Sequence, residues 1–164
     1  MKVAVRMRPF NQREKDQKAQ KIVRMQGHQT FLRHPETDQE RNYAFDFSYD
    51  SSDPNSSNYA GQETVWNDIG EGVLQNAWDG YNCSLFAYGQ TGSGKSYSMV
   101  GYGKDRGIIP VASEEMFKRI DRNEDESTTF KVEASMLEIY MEKVRATMTG
   151  FGHSTNVCFL FYFY

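Results

Sequence analysis

The chain has 164 residues and a formal net charge of −3. That length suits one domain burying roughly 68–70% of the surface its unfolded chain exposes, and the acidic balance argues against nucleic acid as a main partner. Met1-Lys2-Val3-Ala4-Val5-Arg6 meets charge at once and gives no secretory signal. The longest apolar run, Val157–Tyr164, falls far short of the roughly 20 residues that span a bilayer, so no membrane contact is expected.

Charge is unevenly spread. Lys2, Arg6, Arg8, Arg13, Lys15, Lys18, Lys21, Arg24 and Arg33 crowd the start, and Glu124, Asp125 and Glu126 cluster late; both read as solvated faces or loops. Cys83 and Cys158 match no metal spacing, and His28, His34 and His153 form no ligand cluster visible in sequence. Cys83 is expected to be a buried free thiol, which fits a reducing compartment.

Lys2–Arg8 alternates, with Val3, Val5 and Met7 on one face, and predicts a strand that Pro9 ends. Asn11–Gln20 is polar and reads as a loop. Ile22-Val23 and Phe31-Leu32 predict short strands paired around a turn at Gln26-Gly27-His28. Asn42–Tyr49 predicts one strand, with Tyr43, Phe45, Phe47 and Tyr49 sharing a face. Asp50–Gly61, rich in Ser, Asn and Asp, is a surface loop. Glu63–Asp79 predicts a helix from the recurrence of Val65, Ile69, Val73 and Ala77, with Trp66, Leu74 and Trp78 beside them as core and Gly80 ending it. Gly70 and Gly72 each lower its intrinsic stability by about 1 kcal/mol relative to Ala.

Cys83-Ser84-Leu85-Phe86-Ala87-Tyr88 reads as a buried strand running into Gly89-Gln90-Thr91-Gly92-Ser93-Gly94-Lys95-Ser96. The second stretch fits G-x-x-x-x-G-K-[ST] at every fixed position. Gly89, Gly92 and Gly94 leave the backbone open to close approach, so successive N–H groups can wrap phosphate oxygens. Lys95 would reach the β- and γ-phosphates, and the Ser96 hydroxyl would coordinate Mg²⁺. Tyr97–Val100 continue as a helix whose N-terminus faces the anion.

Gly101–Gly107 then reads as an exposed loop. Pro110 suits the first turn of a helix reaching about Asp121, with Met116, Phe117 and Ile120 buried. Arg122–Thr128 is a charged loop, and Thr129–Tyr140 alternates as a further strand. Strands alternating with helices predict an α/β fold, a sheet covered on both faces, with the nucleotide beyond the carboxyl end of Cys83–Tyr88. Val157–Tyr164 reads as either a buried strand or an exposed, aggregation-prone one.

These residues resemble the motor domain of kinesins. Phe86-Ala87-Tyr88-Gly89-Gln90-Thr91-Gly92-Ser93-Gly94-Lys95-Ser96-Tyr97-Ser98-Met99 is similar to the family's phosphate loop. Arg6-x-Arg8-Pro9, Tyr43-x-Phe45-Asp46, Gly80-Tyr81-Asn82, Gly107-Ile108-Ile109-Pro110 and Leu137-Glu138-Ile139-Tyr140-x-Glu142 match in the family's order. Gly-Lys-Ser-Tyr-Ser-Met and Asn58-Tyr59-Ala60-Gly61-Gln62 look most like the third, vesicle-carrying kinesin family.

The resemblance covers Met1–Arg145 and implies an incomplete motor with the P-loop NTPase type of central sheet. The segment 146–164 reads as a divergent hydrophobic tail outside it. The resemblance further implies ATP and Mg²⁺ as ligands, microtubules as partner and a cytoplasmic, cytoskeletal location. Adenine would lie between Pro9 and the Tyr97 ring, with Arg6 packed nearby and Arg8 on the same side, while Glu138 and Tyr140 are expected to be structural. The family's two switches, Asn-x-x-Ser-Ser-Arg-Ser-His and Asp-Leu-Ala-Gly-Ser-Glu, do not occur in these residues. No catalytic residue is therefore assigned, and the chain by itself is expected to have little ATPase activity, microtubule contact falling to the half of the motor these residues lack.

Overall fold

The alternating start of the chain becomes strand β1 (Ala4–Met7), paired in parallel with β5 (Phe47–Asp50). The computed structural model describes residues 1–141, 143–149 and 156–163. Two units, Met1–Val65 and Trp66–Tyr164, divide the chain, and each interleaves strands with helices, an α/β architecture.

In the first unit, the expected hairpin forms from β2 (Val23–Gln26) and β3 (Gln29–Arg33), with Gly27 at φ +56 in its turn. β4 (Glu40–Ala44) pairs antiparallel with β3. The single strand expected over Asn42–Tyr49 is broken. The Phe45 N–H donates to the His28 carbonyl at 2.9 Å, and the Asp46 N–H to the Val3 carbonyl at 3.0 Å. The chain thereby leaves the β2–β3–β4 sheet and joins β1, and the Asp46 carboxylate accepts the Val3 N–H at 2.7 Å. A period-two pattern records which face a residue shares, not which sheet it serves. Met25, Tyr49, Ala60 and Val65 are the buried apolar residues of this unit.

The segment expected as a loop after Pro9 contains a short helix, α1 (Gln12–Asp16). Asn11 caps it: its side chain accepts the Glu14 N–H at 2.9 Å, and Glu14 accepts the Asn11 N–H at 2.8 Å. Reciprocal capping satisfies two amides that a first turn leaves without intrahelical partners. The basic residues of this region are paired locally, Lys21 with Asp50, Arg24 with Glu40 and Arg33 with Asp38.

The long predicted helix is one continuous helical run with a wide turn inside it: α2 (Gln62–Val65), a π-turn at Trp66–Gly70, and α3 (Glu71–Trp78). Gly80, at φ +89, ends it. Leu74 is 2% exposed. It belongs with Met99, Ile108, Ala112 and Met116 to the buried set of the second unit. Arg119 binds α3 from α5 (Ile108–Asp121), reaching Glu71 at 2.5 Å and lying 5.7 Å from the Trp78 ring. The stripe that faces inward on α5 is Ile108, Ala112 and Met116, spaced by four. Phe117, expected to be buried, lies one position off that stripe and is 51% exposed.

The largest departure is Cys83–Tyr88, which is extended chain rather than a buried strand. Phe86 is 71% and Tyr88 fully exposed, and the Cys83 thiol is exposed rather than buried. Among the described residues no strand pairs with it, and backbone amides without a ladder must be left to water. Beyond α5, β8 (Lys131–Tyr140) pairs antiparallel with β9 (Lys143–Thr149) and in parallel with β10 (Asn156–Phe163). The pairing runs through residues 145 and 146 without a break, Glu138 facing Arg145 and Leu137 facing Ala146. Glu142, His153 and Tyr164 lie outside the described residues, as do the side chains of Glu138, Tyr140 and Cys158.

The two helical glycines have opposite surroundings. A Cβ at Gly70 would fall 2.3 Å from Cε3 of Trp66, whereas one at Gly72 meets nothing within 4 Å. Gly72→Ala should therefore raise stability by about 1 kcal/mol. Gly70→Ala should lower it despite the better helix former, because the indole has to shift. Thermal or urea unfolding of both variants reads the sign; a gain at both positions would show that Trp66 does not pack on Gly70.

Candidate functional site

The loop Gly89–Ser96 folds by its own backbone. The Ser93 N–H donates to the Gln90 carbonyl at 3.1 Å, making a tight turn with Gln90 and Thr91 exposed at its tip. Gly89, at φ +152, lies so close to Ser93 that a Cβ there would fall 2.5 Å from the Ser93 Oγ. Gly92 and Gly94 also adopt positive φ, +79 and +99. From Gly94 the chain enters α4 (Lys95–Met99), whose first helical bond runs from the Ser98 N–H to the Gly94 carbonyl at 3.0 Å. The leading amides of such a turn have no intrahelical acceptor and are directed back toward the loop.

Lys95 closes the loop on itself. Its ammonium donates to the carbonyls of Gly89 at 2.7 Å and Gln90 at 3.1 Å. The Ser96 side chain is exposed one residue further on. Tyr97 is half-buried, and its hydroxyl donates to Asp105 at 3.2 Å. A lysine charge, a serine hydroxyl and a run of turning amides thus gather on one short segment.

The other expected binding residues belong to the first unit. Arg6 lies in β1, where its Nε donates to the Ser51 Oγ at 2.8 Å and its Nη1 to the Gln62 Oε1 at 2.7 Å. Ser51 in turn donates to the Ala60 carbonyl. Arg8 grips Glu14 with both guanidinium nitrogens, at 2.8 and 2.7 Å, and also donates to the Pro9 carbonyl at 2.8 Å. Pro9 itself is exposed. Arg6 and Arg8 therefore hold the β1 end in shape through named acceptors.

A family model of the kinesin motor domain matches residues 6–150. The chain belongs to the kinesin motor domain family. It is 51% identical over 170 residues to Kinesin-related protein 1 of Dictyostelium discoideum, covering 95% of this chain and 8% of that protein. It is 48% identical over 153 residues to the human Kinesin-like protein KIF13A, covering 88% of this chain and 8% of that one. KIF13A, KIF1A and KIF1B, all similar to this chain, are of the third kinesin family. Among solved structures, KIF14 with ADP in complex with a microtubule superposes with a TM-score of 0.80 at 36% identity, covering 96% of this chain and 44% of that one. The fold is that of an incomplete kinesin motor. The chain spans under a tenth of the length of these two curated relatives.

Two features of this kinesin segment were not anticipated from its sequence. One is Glu14, although Asn11-x-x-Glu14 carries the spacing of a capping box. The other is Asp105, which no local pattern marks. Its meeting with Tyr97 depends on the turn between them.

The Arg8 hydrogen bond, with help from the Asn11 amide, holds the Glu14 carboxyl down at about 2. A depressed carboxylate contributes above its ordinary value of 4.5 and loses that contribution as pH falls toward about 2. The unfolding midpoints of the natural chain and of Glu14→Gln should differ near neutral pH and converge across that window. A carbon-detected titration of Glu14 with an ordinary carboxylate midpoint would show that the Arg8 grip does not form.

Proposed function

We propose that this chain carries the nucleotide-gripping part of an ATP-driven microtubule motor. The Gly89–Ser96 loop carries the reading. Its three glycines adopt positive φ, its first glycine has no room for a side chain, and a cation and a hydroxyl follow at once. The relative solved with ADP on a microtubule supports the same reading for the intact molecule, whose location would be the cytoplasmic cytoskeleton.

The residues fit a Mg·nucleotide. Lys95 would exchange the Gly89 and Gln90 carbonyls for phosphate oxygens, a better acceptor for an ammonium. Ser96 supplies the single hard oxygen that Mg²⁺ takes from a phosphate loop. Among the described residues there is no cluster of three or more His, Cys, Asp or Glu that could hold a metal. Bound there, Mg²⁺ neutralises charge on the phosphates. We assign Arg6, Arg8, Pro9 and Tyr97 to the adenine side, as the family resemblance implies. We also infer that residues 1–145 form the amino-terminal portion of the motor and 146–164 a tail outside it.

A second reading concerns these 164 residues alone. They contain the loop but neither switch sequence. Phosphoryl transfer depends on groups positioned around the γ-phosphate and the attacking water, and losing one such donor can cost about 10²–10³ in rate. This segment would bind Mg·nucleotide and turn it over slowly, hydrolysis and movement belonging to the intact molecule.

Lys95→Ala should weaken Mg·ADP binding by about 10- to 100-fold, as expected for a lost bond to a charged group. Titration calorimetry reads it, and unchanged affinity would remove Lys95 from the grip. In a phosphate-release assay, microtubules should not stimulate the 164-residue chain. Robust stimulation would refute the second reading and leave the motor reading standing.

A further inference from the structure

The segment after α4 is exposed over residues 102–106, as expected of a loop, but it is closed as a hairpin. β6 (Gly101–Tyr102) and β7 (Asp105–Arg106) pair antiparallel around Gly103-Lys104. The hairpin is seated on the end of α4. The Gly107 N–H donates to the Val100 carbonyl at 2.9 Å. A Cβ at Gly107 would fall 2.5 Å from the Met99 carbonyl, so the two backbones touch without a side chain between them. Arg106 pairs with Glu114 of α5, whose carboxyl Lys118 and Arg106 together hold at about 2.

Two hairpin side chains meet the residue that follows the Lys95-Ser96 pair. Asp105 accepts the Tyr97 hydroxyl at 3.2 Å, and the Tyr102 ring lies 6.2 Å from the Tyr97 ring, tilted by 33°. A tyrosine side chain has only two torsions to restrain. A bond at its hydroxyl and a tilted ring beside it therefore go far to set the plane of the ring.

We propose that the β6–β7 hairpin positions the Tyr97 ring, through Asp105 and Tyr102, as the platform for the base of the bound nucleotide. Asp105 and Tyr102 are positioning residues, acting through Tyr97 and touching no phosphate. The proposal rests on the nucleotide reading of the Gly89–Ser96 loop and on the assignment of Tyr97 to the adenine side. It separates the site into a grip for phosphate, built by Lys95 and Ser96, and a base platform whose orientation the hairpin sets. Aromatic stacking is orientation-dependent, so loosening the ring weakens binding only of ligands that carry a base.

The test compares Mg·ADP with Mg·tripolyphosphate, which has no base, on the 164-residue chain. Asp105→Ala should weaken Mg·ADP by about 3- to 10-fold, the scale of one ordinary net hydrogen bond because the residue acts only through Tyr97, and leave Mg·tripolyphosphate unchanged. Tyr97→Phe, which removes only the hydroxyl, should give the same pattern. The double variant should be no weaker than either single one, because both remove one interaction. Equal weakening of both ligands, or of neither, by Asp105→Ala and by Tyr97→Phe would overturn the proposal. Lys95→Ala is the control for the underlying reading and should weaken both ligands. If it weakened neither, or if the unsubstituted chain bound neither ligand, the nucleotide reading would fall and this inference with it.

Discussion

The contact on which the site depends is that of the Lys95 ammonium with the carbonyls of Gly89 and Gln90, at 2.7 and 3.1 Å. A cation held by the oxygens of its own loop draws the loop into a ring. That geometry demands a backbone without side chains where the strands of the ring approach. Gly89 shows the demand directly, since the Ser93 hydroxyl occupies the space a Cβ would need. The loop is thus shaped by its own polar groups.

Everything placed after the loop inherits this constraint. α4 is only one turn long and contributes little stability of its own. Its support comes from Met99, which is buried, and from the hairpin that the Gly107 amide ties to Val100. α5 then anchors the far strand of the hairpin through Arg106 and Glu114, and reaches α3 through Arg119 and Glu71. Charged pairs at this level of exposure contribute little individually. Their arrangement matters more for register, fixing which residue of each element lies opposite which.

The basic start of the chain is largely the solvated face expected, with some of its charges paired. Arg8 is committed to Glu14, Lys21 to Asp50, Arg24 to Glu40 and Arg33 to Asp38. Asp50 is the most informative of these. Burial alone would push its carboxyl up, but the Ser52 hydroxyl and amide and the Lys21 ammonium outweigh it and hold the group below its ordinary value. Part of the positive charge is thus balanced within the unit that carries it.

The glycine turn that leads into α4, the strand β1, the β2–β3 hairpin, the helix ending at Gly80 and the kinesin family itself were legible in the residues. Each rests on a local signal: a fixed spacing, an alternation, a glycine where φ must turn positive. What needed the tertiary structure were matters of partnership. An alternation over Asn42–Tyr49 could not show that Phe45 and Asp46 hand the chain from one sheet to another. An apolar run could not show that Cys83–Tyr88 finds no ladder among the described residues, because a strand exists only when another strand satisfies its backbone. Nor could spacing reveal that Asp105 returns to Tyr97, since that meeting is made by a hairpin folding back on α4. Local chemistry determines what a segment is able to form; the neighbours it meets decide what it becomes.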